Sequence, residues 1–294
     1  MREPNFIIAG GVASGTGSLT DAIKNHPEIY LPAIMRPECG FFYKKGELDK
    51  GRSYYLKNWF SDVKDEKAIG ERSSLYLHGD FNKVASRIHK EYPKMKLIFC
   101  LRNPTERAWG GYRFTALSGL ETLSFKEALD QEEERINNSK GWIAEIRPHA
   151  YRARGCYFDQ LKPFLEHFPK EQILCIKSES LAKKTDEVLR EVYEFLGVDQ
   201  EFKTKPERTF SSPNVKNLKI QYGLRKVLNK KLDVATEEYR QYGPQSLLAK
   251  AIGLNLTKQK YPMPEDQRKR LNEFYAPHNE KLAKLLNWDL SDWH

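Results

Sequence analysis

The residues best suited to chemistry stand near the start of the chain, in "GGVASGTGSLTDAIKNHPE" (residues 10–28). Ser14, Gly15, Thr16, Gly17 and Ser18 follow the short apolar run Phe6 to Ala9 and lead into a helical pattern. At such a strand-to-helix turn the first backbone N–H groups have no acceptor inside the helix, and the helix dipole adds partial positive charge. The stretch is therefore suited to cradling a phosphate. The loop of nucleoside triphosphatases, G-x4-G-K-[ST], is disfavoured. Gly10 and Gly15 keep its spacing, but Thr16 and Gly17 occupy the lysine and hydroxyl positions.

The elements that must position this loop are legible as short unbroken apolar runs: "FIIA" (6–9), "LIFCL" (97–101) and "QILCI" (172–176), with weaker candidates at Ile29 to Leu31 and Ala68 to Gly70. Their length and punctuation predict strands buried on both faces. Between them lie helical patterns: Leu19, Ala22 and Ile23; Leu161, Phe164, Leu165 and Phe168; and Val188, Leu189, Val192 and Leu196 before Gly197. Strands alternating with helices predict an α/β fold, a P-loop-like three-layer arrangement with a mainly parallel sheet, whose ligands sit at the carboxyl ends of the strands. One domain, 1–294, is expected. It includes a Lys-rich, loosely patterned insertion or lid at about 203–262 and closes with a helix from Glu265 to Leu286.

A net charge of +9 favours an anionic partner. Lys and Arg are spread along the chain without a nucleic-acid arm, so nucleic acid is not expected. Cys39, Cys100, Cys156 and Cys175 lie far apart and show no zinc spacing; neither a metal nor a disulfide framework is expected. No apolar run approaches the length of a membrane span, and "MREPNFIIAGG" carries no leader pattern, so a soluble, cytoplasmic protein is expected.

Two families resemble the glycine loop. Gly11, Gly15 and Gly17 match the G-x3-G-x-G loop of short-chain NAD(P)-dependent dehydrogenases, with Glu38 at about the ribose-binding distance. The Tyr-x3-Lys pair that such enzymes need is matched at Tyr92/Lys96, which contains Pro93, and at Tyr222/Lys226, which contains Gly223. The second family explains more. "NFIIAGGVASGTGSLTDAIKNHPEIYLP" resembles the 5′-phosphosulfate loop of sulfotransferases dependent on 3′-phosphoadenosine 5′-phosphosulfate (PAPS), and "KLIFCLRNPTERAWGGYRF" is similar to their 3′-phosphate block. "RPECGFFYKKGELDKGRSYYLKNWF", "AIGERSSLYL", the stretch 151–198 and the closing helix with its final Trp extend the likeness to the heparan-type and bacterial branch over nearly the whole chain except roughly 203–262.

That resemblance implies transfer of a sulfuryl group from PAPS, with release of 3′-phosphoadenosine 5′-phosphate (PAP) and no metal. It implies that Ala13, Ser14, Gly15, Thr16, Gly17 and Ser18 hold the 5′-phosphosulfate, that Arg102 and Gly110 lie at the 3′-phosphate, and that Glu38 is the general base, with Arg72 and Thr16 assisting catalysis. The chain departs from the family pattern at four of its positions. The loop lysine is Ala13, the serine of the 3′-phosphate block is Gly110, the adenine-stacking tryptophan of cytosolic members is Ser18, and the histidine of E-x-H-FF is Gly40. Arg72, or else Arg36, is expected to supply the cation missing at Ala13. The acceptor implied is a hydroxyl, amine or guanidinium of a small natural product, as in bacterial and cyanobacterial tailoring enzymes. The acidic "DQEEER" (130–135) reads first as a solvated helix face, and would otherwise contribute to a pocket for a cationic acceptor, whereas the Lys-rich segment between Lys203 and Lys231 would face a polyanionic glycan. The dehydrogenase, and a nucleotide-binding relative without activity, are the alternatives; the sequence is silent on oligomeric state.

Overall fold

The structure, a computed structural model, describes residues 2–33, 38–78, 80–204, 213–229, 247–259 and 261–293. Its centre is a parallel sheet of five strands in the order β2-β3-β1-β4-β5, formed by β1 (Phe6–Gly10), β2 (Ile29–Tyr30), β3 (Ala68–Arg72), β4 (Lys96–Leu101) and β5 (Ile173–Lys177). The apolar runs are unbroken because successive residues serve opposite layers. Ile7, Ala9, Leu97, Phe99 and Leu101 pack with Phe41, Phe42, Tyr55, Phe164 and Trp293, while Phe6, Ile8, Ile98 and Cys100 pack with Leu19, Ile23, Val188 and Val192. The expected α/β fold is thus the observed one. β3 runs further than its apolar pattern, because Glu71 and Arg72 are buried within it despite their charge.

α1 (Thr16–Ile23) follows β1 on one layer, and α2 (Gly51–Trp59) and α3 (Phe81–Glu91) flank β3 in sequence. α4 (Pro104–Leu117) leaves β4 under a side-chain cap: Asn103 Oδ1 accepts the N–H groups of Thr105 and Glu106 at 3.0 and 3.3 Å, and Pro104 opens the first turn. α5 (Tyr157–His167), α6 (Ser178–Lys183) and α7 (Thr185–Leu196) follow, the last stopped by Gly197 in the left-handed region. The described part of the expected insertion forms α8 (Leu218–Asn229), α9 (Leu247–Leu254) and a two-residue antiparallel pair, Asn214–Val215 with Leu256–Thr257. Gln221 on α8 donates to the carbonyl of Leu117 at the end of α4, at 2.8 Å. The remainder of the expected lid, 205–212, 230–246 and 260, lies outside the described residues. α10 (Glu265–Leu286) closes the fold at its expected bounds.

The chain leaves β1 for β2 and β3 on one side, then crosses to β4 and β5 on the other. That reversal opens a crevice beyond the carboxyl ends of β1 and β4, which is where open α/β sheets bind ligands. Among the described residues no helix is long and apolar enough to cross a membrane.

Candidate active site

Four strand ends converge on this crevice. β1 delivers Gly11 to Ser18, β3 delivers Arg72 to Ser74, β4 delivers Arg102 and β5 delivers Ser178. Gly15 caps α1; its φ of 86° lies in the left-handed region, and a Cβ there would stand 3.3 Å from Ser178 Oγ. No acidic residue occupies the first turn of α1, so the positive end of its dipole is not neutralised locally. The N–H groups of Gly15, Thr16 and Gly17 begin the helix without an acceptor inside it.

Ser14 differs from its expected part in the cradle. Its N–H donates to Gly11 O at 3.2 Å, its hydroxyl lies 3.3 Å from Tyr157 Oη, and its carbonyl accepts from the Ser178 hydroxyl. All three groups point into the protein, so Ser14 braces the loop and leaves the outward donors to the residues after it. Tyr157 also donates to the carbonyl of Arg102 at 3.0 Å, tying the end of β4 to the loop after β1. The sequence reading missed Tyr157 and Ser178; for Ser178 the available signal was its place directly after the apolar run of β5.

Arg102 Nη1 donates to the carbonyl of Ala13 at 3.4 Å and stands 3.2 Å from where a Cβ on Gly110 would sit. Ala13, Arg102 and Gly110, far apart in the chain, are therefore one cluster beside the cradle. The missing side chain at Gly110 leaves room for the guanidinium.

Glu38 and Arg72 form the second cluster. Arg72 Nε faces Glu38 Oε1 at 3.2 Å, and Arg72 Nη1 lies 3.5 Å from the Cβ position of Gly17. One buried guanidinium thus spans the carboxylate and the first turn of α1. Glu38 Oε2 accepts both the N–H and the hydroxyl of Ser74 at 2.8 Å. Lys44 Nζ donates to the carbonyl of Glu38 at 2.8 Å, and its alkyl stem fills the space where a Cβ on Gly40 would point, 3.0 to 3.3 Å away. With φ at 60°, Gly40 sits where a histidine would be strained. Arg36, the other candidate cation, lies outside the described residues.

Behind Glu38 stands Glu71, which is 1% exposed and was not singled out from the sequence. Burial pushes its carboxyl up to about 7, against the hydroxyl donors Ser73, Tyr76 and Tyr55, with the nearby charge of Glu38 adding to the rise. The folded protein therefore holds this proton more tightly than the unfolded chain, whose carboxyl titrates near 4.5. The stability contributed by that proton is complete below the unfolded value and is lost as pH rises through the folded one. Urea unfolding between pH 4.5 and 7.5 is expected to show wild-type stability falling by about 3 kcal/mol more than that of Glu71→Gln; parallel curves would refute the assignment.

Two minor readings can be set against the geometry. In "DQEEER", Glu133 and Glu134 are exposed, as on a solvated helix face. Glu132 is buried and accepts the N–H groups of Arg152 and Ala153 at 2.8 to 2.9 Å, while Asp130 pairs with Lys126 and Arg270. Neither Tyr-x3-Lys pair serves the glycine loop. Tyr92 and Lys96 lie at the amino end of β4, opposite the crevice, and Tyr222 and Lys226 stack on each other 5.7 Å apart on α8, where Tyr222 is exposed.

The family model for the sulfotransferase domain matches residues 85–285. The bifunctional heparan sulfate N-deacetylase/N-sulfotransferase 3 of Mus musculus is 26% identical over 299 residues, covering 97% of this chain and 30% of that protein. The membrane-associated sulfotransferase kil1 of Dictyostelium discoideum is 22% identical over 363 residues, 97% of this chain and 66% of that one. The crystal structure of a sulfotransferase from Alicyclobacillus acidocaldarius superposes with a TM-score of 0.73 at 28% identity, covering 100% of this chain and 99% of the other. The chain spans about a third of the length of the mouse N-deacetylase/N-sulfotransferase it matches.

Proposed function

As a member of the sulfotransferase domain family, this chain carries a loop, a guanidinium and a carboxylate in one crevice, and we propose that it moves a sulfuryl group from PAPS to a hydroxyl or amine of a small acceptor. The observation that carries the proposal is Arg72, which lies between Glu38 and the first turn of α1. PAPS, as co-substrate, supplies the activated sulfuryl group. Gly15, Thr16 and Gly17 would hold its 5′-phosphate through their N–H groups and the Thr16 hydroxyl, with the positive end of α1 behind them. Arg102, at the mouth of the loop, would take the 3′-phosphate by a charge-assisted, two-pronged contact. Glu38 takes the acceptor's proton as the acceptor attacks sulfur. Arg72 offsets the charge that builds on the 5′-phosphate as the sulfur–oxygen bond breaks, which is the part a loop lysine would play at Ala13.

The residues fit this co-substrate better than a nicotinamide nucleotide. Two guanidiniums reach the loop, one of them paired with the Glu38 carboxylate, and neither tyrosine–lysine pair does. The family match and that geometry overturn the dehydrogenase alternative. A glycan acceptor is the second reading. The mouse relative is named for an activity on heparan sulfate.

Isothermal titration with PAP tests the reading. Micromolar or tighter binding is expected, with a loss of about 10- to 100-fold in Arg102→Ala, since a hydrogen bond to a charged group contributes about 1.5–3 kcal/mol. Binding of NADPH but not PAP would overturn it. A protein that binds PAP yet labels no hydroxyl or amine acceptor from radiolabelled PAPS would be the inactive relative.

A further inference from the structure

The proposed base sits on a loop, and the structure shows what fixes that loop. Gly40 N–H donates to Ser73 Oγ at 2.8 Å, and Ser73 donates on to Glu71 Oε2 at 2.6 Å. Phe42 N–H donates to Tyr76 Oη at 3.2 Å, and Tyr76 donates on to Glu71 Oε1 at 2.8 Å. Tyr55 Oη adds a third donor to Oε1 at 3.3 Å. Every side chain in these relays is buried: Ser73, Tyr76 and Tyr55 are 0% exposed. Phe41 stacks on Tyr55 with ring centroids 4.4 Å apart, and Phe42 meets Tyr76 edge-on at 6.0 Å, so the loop is clamped by rings as well.

The alternation of β3 and its extension divides the work. Glu71 and Ser73 turn toward the backbone of the Glu38 loop, while Arg72 and Ser74 meet the Glu38 carboxylate itself. Resting on the reading of Glu38 as the base, we propose that Glu71 is a positioning residue, the shared acceptor that orients two hydroxyl relays and so holds Glu38 against Arg72. The relays need an acceptor-only group there, which Glu71 is once ionised, above about pH 7. The hydroxyls of Ser73 and Tyr76 each already accept an amide N–H and must send their own protons onward, and the ionised carboxylate can receive these two and the Tyr55 hydroxyl. Glutamine has the same shape but presents N–H groups to incoming O–H groups. At least one hydroxyl must then turn round, which leaves a buried loop amide without its acceptor.

The test compares Glu71→Gln, Glu38→Gln and the double variant at about pH 8, where Glu71 is ionised, for kcat with PAPS, for Kd of PAP and for melting temperature. Glu71→Gln is expected to lower kcat about 10- to 100-fold, the scale of a displacement of about 1 Å at a reacting group, with Kd for PAP changed less than about threefold. The double variant is expected to turn over no more slowly than Glu38→Gln, because residues acting through one another do not add. Tyr76→Phe cuts one relay and keeps the carboxylate; it should show a smaller kcat loss and the same unchanged Kd, and it carries the test if Glu71→Gln does not fold. A slow Glu38→Gln beside a Glu71→Gln, or a Tyr76→Phe standing in for it, at wild-type kcat overturns the positioning role alone. So does a double variant that loses the full product of the single effects. A Glu38→Gln enzyme with wild-type turnover overturns the reading of the base, and the proposal with it.

Discussion

Replacing Glu38 by glutamine is expected to lower kcat for sulfuryl transfer by about 10³-fold, within the 10²–10⁴ range of a lost general base, and to leave PAP binding within about threefold of wild type. Glutamine keeps an oxygen for the two Ser74 donors, so that anchor of the loop survives, while its amide N–H groups replace the oxygen that pairs with Arg72. What disappears is a group able to take a proton. In the wild-type protein Oε2 is occupied by Ser74, while Oε1 faces Arg72 at 3.2 Å and keeps a lone pair for the acceptor. Steady-state rates with saturating PAPS, set beside calorimetric Kd values, separate the two quantities. A loss of PAP affinity equal to the loss of kcat would move Glu38 from proton transfer to nucleotide binding.

Arg72→Ala is expected to cost about 10²–10³-fold in kcat, the scale of removing one preorganised group from a developing charge, and less than about tenfold in Kd for PAP. The asymmetry follows from its place. Arg72 reaches the first turn of α1 at Gly17 and holds Glu38 with the same guanidinium, so its removal is expected to affect charge on the leaving phosphate and the alignment of the proposed base together. Arg72→Lys keeps the charge but not the fork that spans both partners, and should recover only part of the loss. If Arg72→Ala turns over at the wild-type rate, the cation missing at Ala13 is supplied elsewhere and this assignment falls.

Much of the frame was legible from residue order. The apolar runs at 6–9 and 97–101 became β1 and β4 because strands buried on both faces leave no polar alternation to read, whereas 172–176 became the edge strand β5, of which only Ile176 is fully buried. Arg102 was legible for the same reason, since it is the first polar residue after a buried strand and therefore stands at its carboxyl end. β3 was read short and Glu71 was overlooked. Charged residues ordinarily signal solvent, and only neighbours distant in sequence make their burial tolerable: Tyr55 on α2, and for Arg72 the carboxylate of Glu38.

By itself, then, the sequence determined the α/β alternation, the glycine loop at the start of α1 and the identity of the charged groups at hand. Local burial and turn chemistry are written residue by residue, and these features need nothing more. Only the tertiary structure decided which of those groups meet. Ser14 turns inward to Tyr157, 143 residues away, rather than outward to a phosphate, and Arg72 spans Glu38 and Gly17. These contacts depend on the strand order β2-β3-β1-β4-β5, which lays the ends of β3 and β4 on either side of β1. That order arises from the packing of whole layers and has no signature in any single stretch of sequence.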